Sequence, residues 1–437
     1  MKKGNPKALL PILVFLVMYL GIGILFEYGM KIPMGFYNIP IVVSFIVALI
    51  VACIQNREVK LEQKLEIMAK GVGDVNIITM VLIFMFSGIF VGVVGRSSAE
   101  SVAYFVLSII PAQYAVAVLF VVSAFVSLAM GTSVGTITLI TPIAVAVANG
   151  SGFAPALCVG VVVGGAMFGD NLSFISDTTI AACNGQGCAM KDKFYANFWI
   201  ALPAAIVSLI IILTKTLGID VQGMEVMEYN LVQIIPYVLV LIGGIIGINV
   251  FIVLLIGIVS GSVIMLTTGA VAATDLLANM GSGAAGMYET TMVAILVAAI
   301  CALIQEYGGF TALLNFIKKI LKNKKGGKLG MGLLVGAMDI ATANNTVAIV
   351  MANPIAKEMS EEYGISSKNA ASILDTFSCV FQGIIPYGAQ MLVAISAATS
   401  LGCNLTAFDL MPNLIYPFVL LISCLIFIFV VPEKEEK

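Results

Sequence analysis

The stretch TSVGTITLITPIA (132–144) aligns without a gap to NNTVAIVMANPIA (344–356), 212 residues further along the chain. The same offset carries TMV (79–81) onto TMV (291–293), SGFAPA (151–156) onto YGISSK (363–368) and IAA (180–182) onto LVA (392–394). One short match would be chance in a chain this rich in Val, Ala and Ile. A single ungapped offset holding from about 71 to 182 reads as a structural duplication.

What is duplicated is greasy. The chain is 60% hydrophobic and 11% charged, whereas soluble domains carry about 25% charged residues. Apolar runs long enough to cross a bilayer as helices, which takes roughly 20 residues, recur from Leu9 to Val431. The chain reads as an all-α polytopic membrane protein. The expected spans are 9–28, 37–55, 76–95, a hairpin at 113–149, a helix at 155–183, 196–216, 231–247, 249–268, 288–306, a hairpin at 329–357, a helix at 367–398, and 411–431. No small-residue cleavage site follows the first run, so it reads as a retained helix.

If both hairpins re-enter without crossing, ten crossings remain and both termini share one side. The loops on that side then hold nineteen of the 22 Lys and Arg, leaving only Lys31, Arg96 and Lys215 opposite. Positive charge marks the cytoplasmic side, so both termini are expected in the cytoplasm. Fully crossing hairpins would scramble this sorting. Five crossings per copy is an odd number, so the second copy runs inverted through the membrane. The halves divide the chain as 1–217 and 231–437, with an external linker at 218–230. Inverted repeats with sites at broken helices belong to secondary transporters.

The charged stretch NREVKLEQKLEIMAKG (56–71) reads as an amphipathic cytoplasmic connector, and KKILKNKKGGK (318–328) as a basic cytoplasmic loop. The eight Cys are scattered, and the one close pair, Cys183 and Cys188, has poor zinc spacing with no His in the chain. GSGAAG (281–286) matches a dinucleotide fingerprint in letters only, since no strand precedes it and it lies in an expected external loop. There is no P-loop and no nucleophile–base pair. No enzyme activity or cofactor is expected.

Polar groups concentrate where the repeats correspond. FGDNLSFISDTTIAA (168–182) sets Asp170, Asn171, Ser173, Ser176, Asp177, Thr178 and Thr179 among Val, Ala and Ile. Four carboxylates, Asp170, Asp177, Asp339 and Asp375, are hard to place in water, and each would cost about 2.5–3.5 kcal/mol at a helix centre. With few basic residues expected nearby, a bound cation or a proton is the natural way to neutralise them. The hairpins should turn at MGTSVGT (130–136) and ATANNT (341–346), where Thr132–Ser133 and Asn344–Asn345 are equivalents and Thr346 follows. Such tips offer carbonyls and side-chain oxygens to a cation. The helices after the hairpins should break, at GDNLSFISDTT (169–179) and at FQGIIPYGAQ (381–390) with Gly383, Pro386 and Gly388. Unwound backbone at membrane depth is tolerated only inside protein or around a cavity. Hard cations take oxygen ligands, and Asp170, Asn171, Asp177 and Asn345 are the expected Na+ ligands. Ser173, Thr178, Thr132, Ser133, Asn344, Thr346, Gln382 and Asp375 complete the expected ion and substrate site.

GDNLSFISDTT (169–179) resembles the signature of the NhaC-type sodium/proton antiporter family, usually with Pro where this chain has Phe174, and GTSVGTITLITPIA (131–144) is similar to that family's hairpin. The likeness covers roughly 70–215 well and the second half more loosely. The signature is specific to the family and poorly specific for substrate. The resemblance implies membership of the ion transporter superfamily. Its fold has two inverted repeats with re-entrant hairpins, a scaffold domain with homodimer contacts and a mobile transport domain working elevator-fashion in the cell membrane. It carries Asp170, Asn171, Ser173, Asp177 and Thr178 over as ion-site residues. The leading expectation is Na+ exchanged for H+. The alternative is a Na+-coupled carrier or exchanger of an amino acid or carboxylic acid, for which Gln382, Gln390 and Tyr387 supply further hydrogen-bonding groups.

Overall fold

The computed structural model describes residues 4–31, 38–174, 176–217, 228–246, 248–320 and 323–431, and the regular structure among them is helical throughout. Most of the expected linker 218–230, and with it Lys2, Lys3, Lys322, Lys434 and Lys437, lies outside the described residues.

The first half runs through α1 (Pro6–Ile24), α2 (Ile41–Gln55), α3 (Leu61–Val72), α4 (Val75–Ile109), α5 (Ala112–Met130), α6 (Ser133–Ser151), α7 (Pro155–Leu172), α8 (Asp177–Gln186) and α9 (Met190–Leu217). The second half has α10 (Leu231–Ile245), α11 (Val250–Thr267), α12 (Leu276–Gly286), α13 (Tyr288–Glu306), α14 (Gly309–Ile320), α15 (Lys324–Thr342), α16 (Asn345–Tyr363), α17 (Ser367–Ile384), α18 (Ala389–Thr399), the short α19 (Ala407–Leu410) and α20 (Ile415–Phe429). The duplication read from sequence holds here to the residue. Both ends of α5, α6 and α7 shift by 212 onto α15, α16 and α17, and α8 and α18 begin at the same offset.

Local chemistry sets these shared boundaries. α5 ends at Gly131 (φ 68°) and α15 at Ala343 (φ 49°), both left-handed. Glycine adopts that conformation freely, while a Cβ there costs about 1–2 kcal/mol. The next helix of each pair starts on a side-chain cap. Thr132 accepts from the Gly135 N–H at 3.4 Å, and Asn344 accepts from the Val347 N–H at 3.0 Å, satisfying donors that a helix start leaves open. Pro142 and Pro354 then sit inside α6 and α16 at matching positions, and Gly152 and Gly364 end those helices in the left-handed region.

Among the described residues, eight helices are long and apolar enough to cross a membrane, or nine if the bent pair Ala407–Asn413 and Ile415–Phe429 is one span. Three more apolar helices, Ile41–Gln55, Ala112–Leu128 and Leu231–Gly243, are shorter. α1 and α11 turn most of their apolar surface outward, whereas α6 is buried along all its length except Asn149. The expected span 76–95 ends where Gly95 leaves helical geometry (φ 61°, ψ −168°), and α4 resumes beyond it to Ile109.

Close packing uses small residues, as expected where lipid supplies no hydrophobic drive between helices. Added Cβ atoms on Gly165 and Gly169 of α7 would lie 2.3 and 2.1 Å from the carbonyl oxygens of Phe120 and Ala124 on α5. The stretch 276–286, expected as an external loop, is instead α12. Its Gly283 packs so closely on Gly88 of α4 that a Cβ on either would fall within 2.3 Å of the other's carbonyl oxygen. The sequence GSGAAG is a helix-packing face. The connector 56–71 does contain a helix, α3, and its Gly71 packs against Ala298 and Ala302 of α13.

Candidate ion-binding site

The two interhelical tips and the break between α7 and α8 converge. Thr132 and Ser133 from the first tip, Asn344, Asn345 and Thr346 from the second, and Asp170, Ser176, Asp177 and Thr178 from the break line one cavity of about 50 Å³. Thr79, Met80 and Ile83 of α4 and Gln390 of α18 close it. A water needs about 10–15 Å³ of such space, so the cavity suits an ion with a few waters.

Asp170 is its buried centre. Its Oδ2 accepts from the Ser133 hydroxyl at 2.7 Å and its Oδ1 from the Ser176 hydroxyl at 2.5 Å. The Ser176 and Thr178 hydroxyls are 2.9 Å apart, and Gln390 Nε2 donates to Ser133 Oγ at 3.1 Å. Each serine gives its proton to the carboxylate and keeps lone pairs for a cation. The result is a preformed cluster of oxygens around one negative charge. Asp177, in the first turn of α8, is exposed and reaches the cavity from its rim.

The break at 173–176 opens without a proline. Ser173 Oγ donates to the Leu128 carbonyl at 2.8 Å, Thr179 Oγ1 to the Ser173 carbonyl at 2.8 Å, and Ser176 caps α8 by accepting from the Thr178 N–H at 3.3 Å. Phe174 turns outward and stacks on Phe194 of α9 with ring centres 4.4 Å apart. Serines and threonines do here what Pro386 and Gly388 do in the second half.

The chain matches a known family, whose model covers residues 7–217 and 221–431. The chain belongs to the Na+/H+ antiporter family. An uncharacterized Na+/H+ antiporter of Haemophilus influenzae is 23% identical over 364 residues, 73% of this chain and 77% of that one. A malate-2H+/Na+-lactate antiporter of Bacillus subtilis is 29% identical over 141 residues, 32% of this chain and 30% of its own. The signature at 169–179 therefore carried the family correctly, and a transporter family rather than an enzyme family is the right class.

Within this antiporter-family chain the expected site residues divide in two. Asn171, Ser173, Gln382 and Asp375 do not line the small cavity. Gln382 Nε2 donates to the Ala343 carbonyl at 2.8 Å, bracing the second tip from behind. Asn171 Nδ2 donates to Asp375 Oδ2 at 3.2 Å. The expectation that Lys193 lies in a cytoplasmic loop fails: it is buried on α9 and forms an ion pair with Asp375. Lys193 Nζ also donates to the Asn171 carbonyl and to Thr179 Oγ1, both at 2.8 Å. Asn197 donates to the Asn171 carbonyl at 2.9 Å and to Asp375 at 3.3 Å, while Ser372 and Thr376 donate to its own oxygen. Asp375 is thus neutralised inside the protein, and the Asn171 carbonyl near the end of α7 is held by an ammonium. Ser176, Gln390 and Thr79 joined the cavity without being among the expected site residues. The offset offered a signal for one of them, because Gln390 is the repeat equivalent of Thr178.

A larger cavity of about 670 Å³, lined by Lys70, Asp74, Gln305 and Glu306, reaches Thr342 and Val347 near the second tip. A constriction shares Ile77 and Thr342 with it and Met80 and Asn344 with the small cavity. Asn344 Nδ2 donates to Met80 Sδ at 2.9 Å across that constriction.

Proposed function

We propose that the protein is a secondary active transporter exchanging Na+ for H+ across the cell membrane, with Asp170 holding either ion in turn. The observation that carries this is the Asp170 carboxylate, buried between two interhelical tips in a space of about 50 Å³. Among the described residues no cluster of three or more His, Cys, Asp and Glu is present, and neutral oxygens plus one carboxylate suit a weakly held monovalent cation that must leave again. A proton on Asp170 removes the charge that Na+ needs, so the two ions compete and one replaces the other. Asp177 at the rim is the entry carboxylate.

The repeat equivalence of α5–α8 and α15–α18 supports two inverted repeats with re-entrant hairpins, and the tip-to-tip cavity supports alternating access with the paired helices moving as a transport domain against a scaffold. Sorting of Lys and Arg supports cytoplasmic termini. The larger cavity, lined by Lys70 from the connector assigned to the cytoplasm, then reads as the inner vestibule, and the Asn344–Met80 contact as its gate. A homodimer rests on the family resemblance alone. The second reading, Na+-coupled movement of an organic acid, draws on the Bacillus relative's name. The small cavity disfavours it in this conformation, since about 50 Å³ is tight for a multi-carbon acid beside an ion.

Proteoliposomes with an imposed Na+ gradient and an enclosed pH dye test the proposal. Na+-driven proton movement without added solute, lost in Asp170→Asn, is the expected result. Proton movement only when an organic acid is supplied would transfer the assignment to the second reading.

A further inference from the structure

Asp339 lies on α15 one turn before the second tip and is fully buried. Neither carboxylate oxygen has a hydrogen-bond partner. The Ser378 hydroxyl of α17 faces it, yet no hydrogen bond of acceptable geometry joins the two. One turn further along the same face of α17 is Gln382, whose Oε1 is also unpartnered. Four buried oxygens on three side chains of α15 and α17 are therefore without a hydrogen-bond partner.

The first half supplies an internal comparison. At the offset of 212, Asp339 corresponds to Ser127 and Ser378 to Ala166. There the Ser127 hydroxyl simply donates to the Ala166 carbonyl at 2.6 Å. Joining these helices requires only a hydroxyl, so packing does not explain a carboxyl at 339. An ionised carboxylate in this position is desolvated with nothing to offset the loss. The neighbouring titratable groups are already engaged. Asp375 of α17 is paired with Lys193, Cys379 donates to the Met167 carbonyl, Tyr387 to the Ile340 carbonyl and Cys301 of α13 to the Ala341 carbonyl. The basic residues of α15, Lys324, Lys325 and Lys328, are three turns or more away at its far end. On α16, Lys357, Glu358, Glu361 and Glu362 lie beyond its midpoint, and α20 carries no charge. Lys318 and Lys319 end α14, just before α15 starts in the chain. Among the described residues no cation faces Asp339, and it lines none of the cavities above, which leaves no room for Na+ with its oxygen shell.

We propose that Asp339 binds a proton as a neutral carboxylic acid and is a second proton carrier of the transport cycle, separate from Asp170. The proton leaves for water when α15 and α17 part near the tip and is taken up again from water on the opposite side, while the Ser378 and Gln382 oxygens offer hydrogen-bond acceptors to the neutral acid. This rests on the reading of the protein as a Na+/H+ exchanger.

The test is the H+:Na+ coupling ratio of the purified full chain in proteoliposomes, from the pH gradient at which proton flux driven by a set Na+ gradient vanishes with the membrane voltage held at zero. Asp339→Asn keeps the shape, and Asp339→Ser recreates the first-half arrangement, so at least one folds. Both are expected to exchange with one proton fewer per Na+ than wild type. Exchange at the wild-type ratio overturns the proposal while leaving Na+/H+ exchange intact. Absence of Na+-driven proton flux in wild type overturns the exchange reading instead. If the variants fold but do not exchange, infrared spectroscopy decides: a protonated-carboxyl band in wild type that disappears in Asp339→Ser supports the proposal, and its persistence overturns it.

Discussion

Asp170 and Asp375 show how two carboxylates on broken helices acquire different jobs from their neighbours. Asp170 receives only hydroxyl protons, from Ser133 and Ser176, so its charge stays available to the cavity. Asp375 receives the Lys193 ammonium and is internally compensated. Removing one partner of such a buried pair leaves an uncompensated charge, at about 3–5 kcal/mol, whereas replacing both by apolar groups is often neutral. Lys193→Ala should therefore lower thermal stability markedly, and Lys193→Met with Asp375→Leu should restore most of it, as read by thermal unfolding in detergent. A double variant no more stable than the single would show that the ammonium's bonds to Asn171 and Thr179 matter more than the ion pair. Asp170 was legible in the sequence because a carboxylate amid Val and Ala has no inexpensive structural use. The role of Lys193 was not, because its place in the chain, just before an apolar run, is where loop lysines also sit. Only the fold brings it beneath α7.

At the scale of elements, the broken helices and paired helices were legible because hydropathy gave the spans and the repeat offset gave the breaks. α12 was not, since GSGAAG has loop composition and becomes a helix only where its small residues meet those of α4. The same small-residue logic positions the site. Gly165 and Gly169 bring α7 against α5 so that Asp170, the next residue, reaches Ser133 at the start of α6. A methyl at 169 would sit 2.1 Å from the Ala124 carbonyl oxygen, which backbone must move to relieve, and overpacking costs typically about 1–3 kcal/mol. Gly169→Ala should thus lower stability by that order and, where the displaced backbone carries Asp170 with it, weaken Na+-dependent exchange about fivefold or more, since 1.4 kcal/mol is tenfold in affinity. Unchanged transport with this substitution would mean that the α5–α7 contact does not set the site.

For the whole molecule, the duplication was the most informative feature of the sequence, and the helix boundaries repeat it residue for residue from α5 to α7. What breaks the symmetry is chemical: at the offset of 212, Asp170 corresponds to Gln382, Phe174 to Pro386, and Ser127 to Asp339. One half carries the buried carboxylate of the candidate site and the other braces its own tip through Gln382, an asymmetry that hydropathy alone does not display. In the proposed exchange, Na+ and a proton compete for Asp170 within this frame. Linkage fixes the sign: where the carboxyl is protonated, Na+ binding must expel the proton, and apparent Na+ affinity rises up to tenfold per pH unit until the group is deprotonated. The direct measurement is calorimetric Na+ titration of the purified protein across pH, in buffers of different ionisation enthalpy. Proton release on Na+ binding in wild type, with both the release and the pH dependence lost in Asp170→Asn, is the predicted result. Na+ binding that is independent of pH, or that survives unchanged in Asp170→Asn, would contradict it.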